Sequence, residues 1–456
     1  MRPCRARFPL VPAPGNVRSS ALTLLPVLLA LLLPVPLAVA FIPLACPASE
    51  DPGLWIDRPL LAVEIQGLHR TRPLIVLREL SARAGAPLDW DRLERDRLRL
   101  LDLGLFASVA FFPRRDRDLD RPILDVRVRE RPDFLAVPTV SWEEGQGFTY
   151  GASAATLNLR GMARTAWVAA GTGARRYVQV GCATRWVFGR RLGFSAQSSL
   201  RQTRNLSQGS IERHSGVSAG LAPTRGLHLS FPFGAGWEQV RARPDANPAP
   251  EFTGTAAPRR DDHRWVEAGA RIDTRDYRAR PRRGDVLALR VAANGGLLGG
   301  SMAMERYALD AMLVRATGTA VLTVASRTVL SRGGVPAFLQ MDLGGASDLR
   351  GHPPDLYKGD NRWSGWVEER FPLLPRLEIA MPPPFSNTFD LTVDGAVFVD
   401  AGAIGSRGDW SRGRVRGRWG AGAGLRLVLP FAGLLSLDLA TDGRGIEAHA
   451  LAGPRF

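Results

Sequence analysis

The chain has 456 residues, 45% of them hydrophobic, with 48 glycines and a formal net charge of +16 at pH 7. That length allows more than one domain, and the abundance of glycine suits many short strands and turns. The arginines are spread through the chain with no basic block, which sets nucleic-acid binding aside, and the composition lacks the long apolar helices of a helical membrane protein.

Residues 1–40 read as an export signal. A basic start, "RARFPLVPAPGNVRSS", precedes the apolar run "ALTLLPVLLALLLPVPLAVAFI". Pro26, Pro34 and Pro36 interrupt that run and argue against a spanning helix. Ala38-Val39-Ala40 supplies small residues at cleavage spacing. The alternative is a lipoprotein cut before Cys46. Residues 41–58 then form a linker. The cysteines Cys4, Cys46 and Cys182 cannot make a disulfide framework after processing, and the six histidines are scattered without metal-ligand spacing. Neither a metal nor another cofactor is expected.

Residues 59–131 carry a small α+β pattern. "LLAVEIQGL" alternates as a strand. "RPLIVLRELSARAG" has helical spacing at Ile75, Val76 and Leu80, with Gly85 as a stop. "DWDRLERDRLRLLDLGLF" predicts a second helix, with Asp89 or Asp91 near its start and Leu93, Leu98 and Leu101 on one face. "ASVAFFPRR" and "PILDVRVRERP" are two more strands. The order strand, helix, helix, strand, strand resembles a POTRA domain, including "LGLF" before the second strand and the closing Val128-Arg129-Glu130.

From 132 to 456 the pattern changes to segments of about ten residues that alternate apolar and polar, the pattern of a membrane barrel. Val178, Val180 and Cys182 oppose Gln179 and Gly181. Phe194, Ala196 and Leu200 oppose Ser195, Gln197, Ser199 and Arg201. Leu435, Leu437 and Leu439 oppose Ser436 and Asp438. Sixteen such candidates follow residue 133. Mostly short turns ("GMA", "PTRG", "ATG", "PFAG") alternate with connections of which several are long, at 204–210, 240–262, 332–361 and 403–416, while two turns near 277–284 and 375–387 break the short side of the pattern. The expected fold is therefore mainly β, a 16-stranded antiparallel transmembrane barrel preceded by one small α+β domain.

Several motifs then stand in order. "RIDTRDYRARPRRGD" carries Asp273, Arg275, Asp276 and Gly284; "GGASDLRGH" carries Arg350 and Gly351; "VEERFPL" and "VFVDAG" follow, then "GAGLRLVLP", and the chain ends in Phe456. This series is similar to the BamA/TamA superfamily of outer-membrane assembly factors. The resemblance implies that the 332–361 loop folds back into the lumen and that Arg350 docks on the inner wall, with Gly351 turning the backbone after it. Asp400 and Phe398 share one face of their strand, and Glu368 shares the corresponding face of its own, so the family pattern places the docking groups there. Phe456 matches the family's C-terminal strand signal. His352 stands where the family has an aromatic residue.

The resemblance further implies a bacterial outer-membrane protein that inserts or translocates other proteins, with its POTRA domain in the periplasm. Its partners would be unfolded outer-membrane or secreted clients, outer-membrane lipid and periplasmic accessory proteins, with no nucleic acid. An accessory barrel, tethering partners or moving lipid, and a dedicated secretion pore are the alternatives. "GVSAG" (216–220) matches a nucleophile-elbow pattern, but no helix pattern follows it, and no enzyme activity is expected.

Overall fold

The computed structural model describes residues 58–456 apart from 117–120, 144–146, 206–208, 247–256, 279, 355, 375–376, 381–387, 430–432, 454 and 456. The expected export signal over 1–40, nearly all of the 41–58 linker, Cys46 and Phe456 lie outside the described residues.

A small unit comes first: β1 (Ala62–Gln66), α1 (Pro73–Glu79), α2 (Trp90–Asp102), β2 (Phe106–Arg115) and β3 (Pro122–Glu130). Its sheet has the order β1-β3-β2, with β1 parallel and β2 antiparallel to β3. Pro73 starts α1, where a missing N–H costs nothing. The helix ends at Glu79, earlier than its apolar spacing suggests. Leu80 is extended, and the next amide, Ser81 N–H, donates to the buried Asp96 carboxylate of α2 at 2.6 Å. Asp89 caps α2 by accepting from the Arg92 amide. Its fully buried apolar positions are Leu93 and Leu100, while Leu98 and Leu101 are half-buried. Leu60, Val76, Leu93, Leu100, Phe106, Leu124 and Val126 form the core, each contributing roughly 1.5–3 kcal/mol by leaving water.

The rest of the described chain is almost entirely strand. In chain order these are β4 (Phe134–Glu143), β5 (Gly147–Thr156), β6 (Arg164–Gly173), β7 (Arg176–Thr184), β8 (Leu192–Asn205), β9 (Ser210–Arg225), β10 (Leu229–Ser230), β11 (Phe233–Pro244) and β12 (Arg259–Asp273). Next come β13 (Gly284–Gly295), β14 (Ala303–Thr317), β15 (Ala320–Gly333), and, within one long loop, β16 (Met341–Leu343), α3 (Gly345–Asp348) and β17 (Tyr357–Gly359). The wall resumes with β18 (Asn361–Pro372), β19 (Leu377–Ala380), β20 (Thr388–Gly405), β21 (Arg418–Leu429), β22 (Gly433–Thr441) and β23 (Ile446–Ala452). The wall strands pair antiparallel with their neighbours and join in a closed barrel in which β23 lies beside β4. β10 extends the line of β11 against β12, and β19 extends that of β18 against β20.

The two faces of the wall invert the usual rule of a water-soluble fold. Val178, Val180, Leu200, Leu287, Leu289, Val397 and Val399 point outward and are exposed, Val399 by 55%. Asp310, Asp400, Arg426 and Asp438 point inward and are buried. Apolar surface costs about 25 cal/mol per Å² in water. A continuous outer band of this kind suits hydrocarbon, with the polar groups turned to the lumen. Among the described residues no helix is long and apolar enough to cross a membrane.

Loop lengths follow the expected asymmetry only in part: the β12–β13 connection over 274–283 is long on the short-turn rim. The segments 245–258, 334–360 and 406–417 are long and share a rim, but the β8–β9 connection spans only 206–209. The small unit sits on the other rim. Asn158 donates to the Thr71 hydroxyl at 2.9 Å, and Trp186 and Arg191 both donate to Glu79 at 3.1 Å. The Arg278 amide donates to Asp102 at 2.9 Å. Burial pushes the Asp102 carboxyl above its ordinary range, opposed by that amide and the Arg278 guanidinium.

Candidate functional site

The loop between β15 and β18 does not stay at the rim. It enters the lumen, where β16 and β17 pair as a short ladder and α3 makes a single turn between them. Gly344, Gly345 and Gly351 all adopt positive φ, and Gly351 at +87° also lies so near the Thr441 carbonyl carbon that a Cβ would approach it to 2.9 Å. Only glycine takes both the left-handed conformation and the close approach without strain.

Arg350, next to that turn, is 1% exposed and is the largest fully buried side chain among the described residues. Its fork meets Asp400 at two points, Nε to Oδ2 at 2.8 Å and Nη2 to Oδ1 at 2.7 Å. Its backbone amide also donates to Asp400 Oδ2, at 3.0 Å. Nη1 donates to Glu368 at 3.0 Å and to Asp438 at 3.3 Å. The guanidinium carbon stacks 3.2 Å from the centroid of Phe398. A buried charge is tolerable only when paired and hydrogen-bonded on this scale, and a planar fork suits the two-point contact. The structure thus brings Arg350, Gly351, Glu368, Phe398 and Asp400 together.

Three further groups belong to the site. Asp438 lies on β22, and Arg426 on β21 clamps both acids, donating to Glu368 at 3.1 and 2.6 Å and to Asp438 at 2.6 Å. Arg455 donates to Asp400 at 3.1 and 2.9 Å. Three arginines therefore face three carboxylates.

Space for this cluster comes from β21. Its inward positions read Gly420, Gly422 and Gly424, in register with Asp400, Phe398 and Asp438. A Cβ on Gly420 would lie 1.9 Å from the Arg350 carbonyl oxygen, and one on Gly424 would lie 2.0 Å from Asp438 Oδ1. The bare strand lets groups from β18, β20 and β22 converge on one guanidinium. Alternate glycines mark a strand face where another backbone approaches, and that signal is present in "GAGAGLRL".

His352 is buried with its ring nitrogens partnered. Nε2 is 2.9 Å from the Trp419 carbonyl oxygen, to which it donates, and Nδ1 accepts from the Tyr357 hydroxyl at 3.3 Å. The Gly351 amide donates to His449 at 2.9 Å.

The 271–285 motif closes a separate turn on the rim that carries the small unit. Asp273 is held by Arg275 at 2.9 and 2.8 Å, and Asp276 accepts from the Tyr277 and Arg282 amides. Gly284, at φ +113°, packs where a Cβ would meet the Thr274 carbonyl at 2.4 Å. This turn reaches the Arg350 wall through Arg280, which grips Asp394 of β20 at 2.8 and 2.7 Å, while Arg370 of β18 donates to the Pro281 carbonyl.

Beside the docked loop a polar cavity of about 610 Å³ remains, lined by Thr139, Ser153, Gln179, Gln202 and His214 of the wall and by Gln340, Asp342 and Lys358 of the loop. No group of side chains suited to a metal ion occurs among the described residues.

Comparison with known proteins places this geometry. Residues 158–447 match the model of the Omp85 superfamily domain. No curated protein matches the chain in sequence. Among solved structures, BamA from Haemophilus ducreyi lacking POTRA domains 1–3 superposes with a TM-score of 0.53 at 16% identity, over 86% of this chain and 85% of that one. CdiB from Escherichia coli gives 0.55 at 14% identity, over 88% and 74%. At such identities the likeness is one of fold.

Proposed function

The chain belongs to the Omp85 superfamily, whose barrel proteins reside in the bacterial outer membrane, and on that premise we propose that it inserts or translocates other proteins there. Residues 59–131 act as a periplasmic POTRA domain after removal of the 1–40 signal. They receive an extended client by strand addition at a sheet edge, which in this unit is β1 or β2. Counted with β10 joined to β11 and β19 to β18, the barrel has sixteen strands. Its seam between β4 and β23 is where a client strand would be templated. β23, at seven residues, is the shortest full wall strand among the described residues.

The observation that carries the reading is the buried Arg350 anchor. A loop that crosses the lumen and is fixed there by five polar contacts to three carboxylates fills space that a simple diffusion pore would leave open. Catalysis in this reading lowers an insertion barrier and involves no bond chemistry, cofactor or metal. Purified protein in liposomes should speed the folding of a urea-denatured client barrel over empty liposomes, and Arg350→Ala should reduce that acceleration. No acceleration of several clients by a well-folded, heat-modifiable barrel would exclude general insertion. The reading would then pass to a dedicated secretion pore or an accessory barrel.

A further inference from the structure

Several arginines of the long-loop rim stand beside acids. Arg204 meets Asp245 and Arg259 meets Asp261, both at 2.5 Å, and Arg264 meets Asp262 at 3.1 Å. The segment 406–417 between β20 and β21 differs. It carries Arg407, Arg412, Arg414 and Arg416 against a single acid, Asp409. All four arginines are exposed, and among the described residues none of their guanidinium groups has a hydrogen bond or an ion-pair partner. The Asp409 carboxylate is already engaged, accepting from the Ser406 amide at 3.2 Å and hydroxyl at 2.6 Å in the capping box of a short helix, α4 (Arg407–Ser411). The loop is nonetheless held in place. Trp410 donates to the Asn361 carbonyl of β18 at 3.2 Å, and the Arg414 amide donates to the Asp409 carbonyl at 2.9 Å. A folded loop that gathers four like charges without counter-charge repels itself and attracts an anion.

The wall directly beneath the loop indicates which anion. Trp419, at the end of β21 that the loop enters, is 52% exposed, and Ile446, where β23 begins, is 70% exposed. Ile446 stands in register with the outward Val399 through Thr441 and Ala421, so both apolar groups belong to the lipid-facing band. Arg418, between them and the loop, turns inward and stacks on Tyr357 at 3.5 Å. An indole at the edge of the hydrocarbon with arginines just above it is the arrangement that meets a charged lipid headgroup. The reading that puts the small unit in the periplasm turns this rim to the outer leaflet, and the inference rests on that reading. We propose that the 406–417 loop binds the phosphate groups of an anionic glycolipid of that leaflet, whose acyl chains run down past Trp419 and Ile446. A guanidinium fork grips a phosphate at two points. A soluble polyanion would need the charge alone and would leave the apolar strip beneath it without a role.

The test titrates the full-length protein, in neutral detergent micelles, with the bisphosphorylated glycolipid lipid A and counts bound copies by native mass spectrometry. One variant changes Arg407, Arg412, Arg414 and Arg416 together to Gln. A control of equal charge changes Arg72, Arg92, Arg95 and Arg160 to Gln, all exposed on the side of the small unit. An arginine at a membrane surface contributes about fivefold to anionic-lipid binding. The loop variant should therefore bind lipid A on the order of a hundredfold or more weaker, while the control binds like the wild type. Trp419→Ala, which leaves every charge in place, should weaken binding by a smaller factor. The wild type should lose affinity for lipid A stripped of its phosphates as the loop variant does for lipid A itself. Equal lipid A binding by the loop variant and the control would overturn the proposal, as would equal wild-type binding of the phosphate-free lipid. A heparin fragment held by the four arginines more tightly than lipid A would overturn it too, in favour of a soluble polyanion. The titration contains no client protein, so its failure and the failure of the insertion assay are separate results.

Discussion

The two halves of the lumen wall share one construction and differ in what they hold. β4–β9 and β18–β22 both turn apolar side chains outward and polar ones inward. The inner face of β4–β9 carries Thr139, Ser153 and Gln179 against an open cavity. The inner face of β18–β22 carries Glu368, Asp400, Arg426 and Asp438, with three glycines between them, packed against a loop. Period-two alternation fixes which face is polar. Whether that face is a wet wall or a binding wall depends on side-chain size at alternate positions of a single strand, β21, and on where the charges pair.

Substitutions on the two walls should therefore have unequal effects. The largest belongs to Arg350→Ala, which leaves three buried carboxylates to two arginines. Removing one partner of a buried pair costs about 3–5 kcal/mol, and the temperature at which the barrel loses heat-modifiable migration should fall accordingly. Gly420→Val comes next. Its side chain would occupy the position of the Arg350 carbonyl, and overpacking costs about 1–3 kcal/mol. The same melting measurement should show the loss even though every charge remains. Phe398→Leu keeps the volume apolar but removes the π face under the guanidinium, worth about 2 kcal/mol when desolvated. Its effect should vanish in an Arg350→Ala background, which a double-mutant cycle measures. On the other wall, Gln179→Ala should change stability by no more than about 0.5 kcal/mol. A larger loss there would break the contrast between the walls.

Much of this was legible in the sequence. The strand faces follow from alternation, whereas Arg350, Glu368, Phe398 and Asp400 can be named as docking groups only through the resemblance of their motifs to the BamA/TamA superfamily, with strand parity putting Glu368, Phe398 and Asp400 on the inward side. Asp438 was visible as the polar member of an alternating segment, but nothing in that segment says that it meets a residue 88 positions earlier. Arg426 and Arg455 were two arginines among many. Burial, which separates them from the rest, is a property of closure and not of local pattern. The glycine row of β21 is readable as a bare strand face, but glycine recurs throughout the chain, and only the convergence of β18, β20 and β22 on Arg350 sets this row apart. In the small unit, α1 stops at Glu79 because a tertiary hydrogen bond from Ser81 to Asp96 competes with the next helical turn. Local propensity does not carry that information.

The most direct test of the account is the reactivity of Lys358 toward a bulky amine reagent in lipid nanodiscs, comparing wild type, Arg350→Ala and Gly420→Val. Lys358 lies on β17, between the docked loop and the open wall. A loop held by Arg350 against a glycine-lined strand keeps Lys358, itself 43% exposed, facing the lumen cavity, so a reagent too bulky for that cavity acylates it slowly in the wild type. The same arrangement predicts a rise on the order of tenfold or more in both variants, one losing the charge and the other the space. Wild-type acylation as fast as in both variants would contradict it, because the loop would then lie free of the wall with or without its anchor.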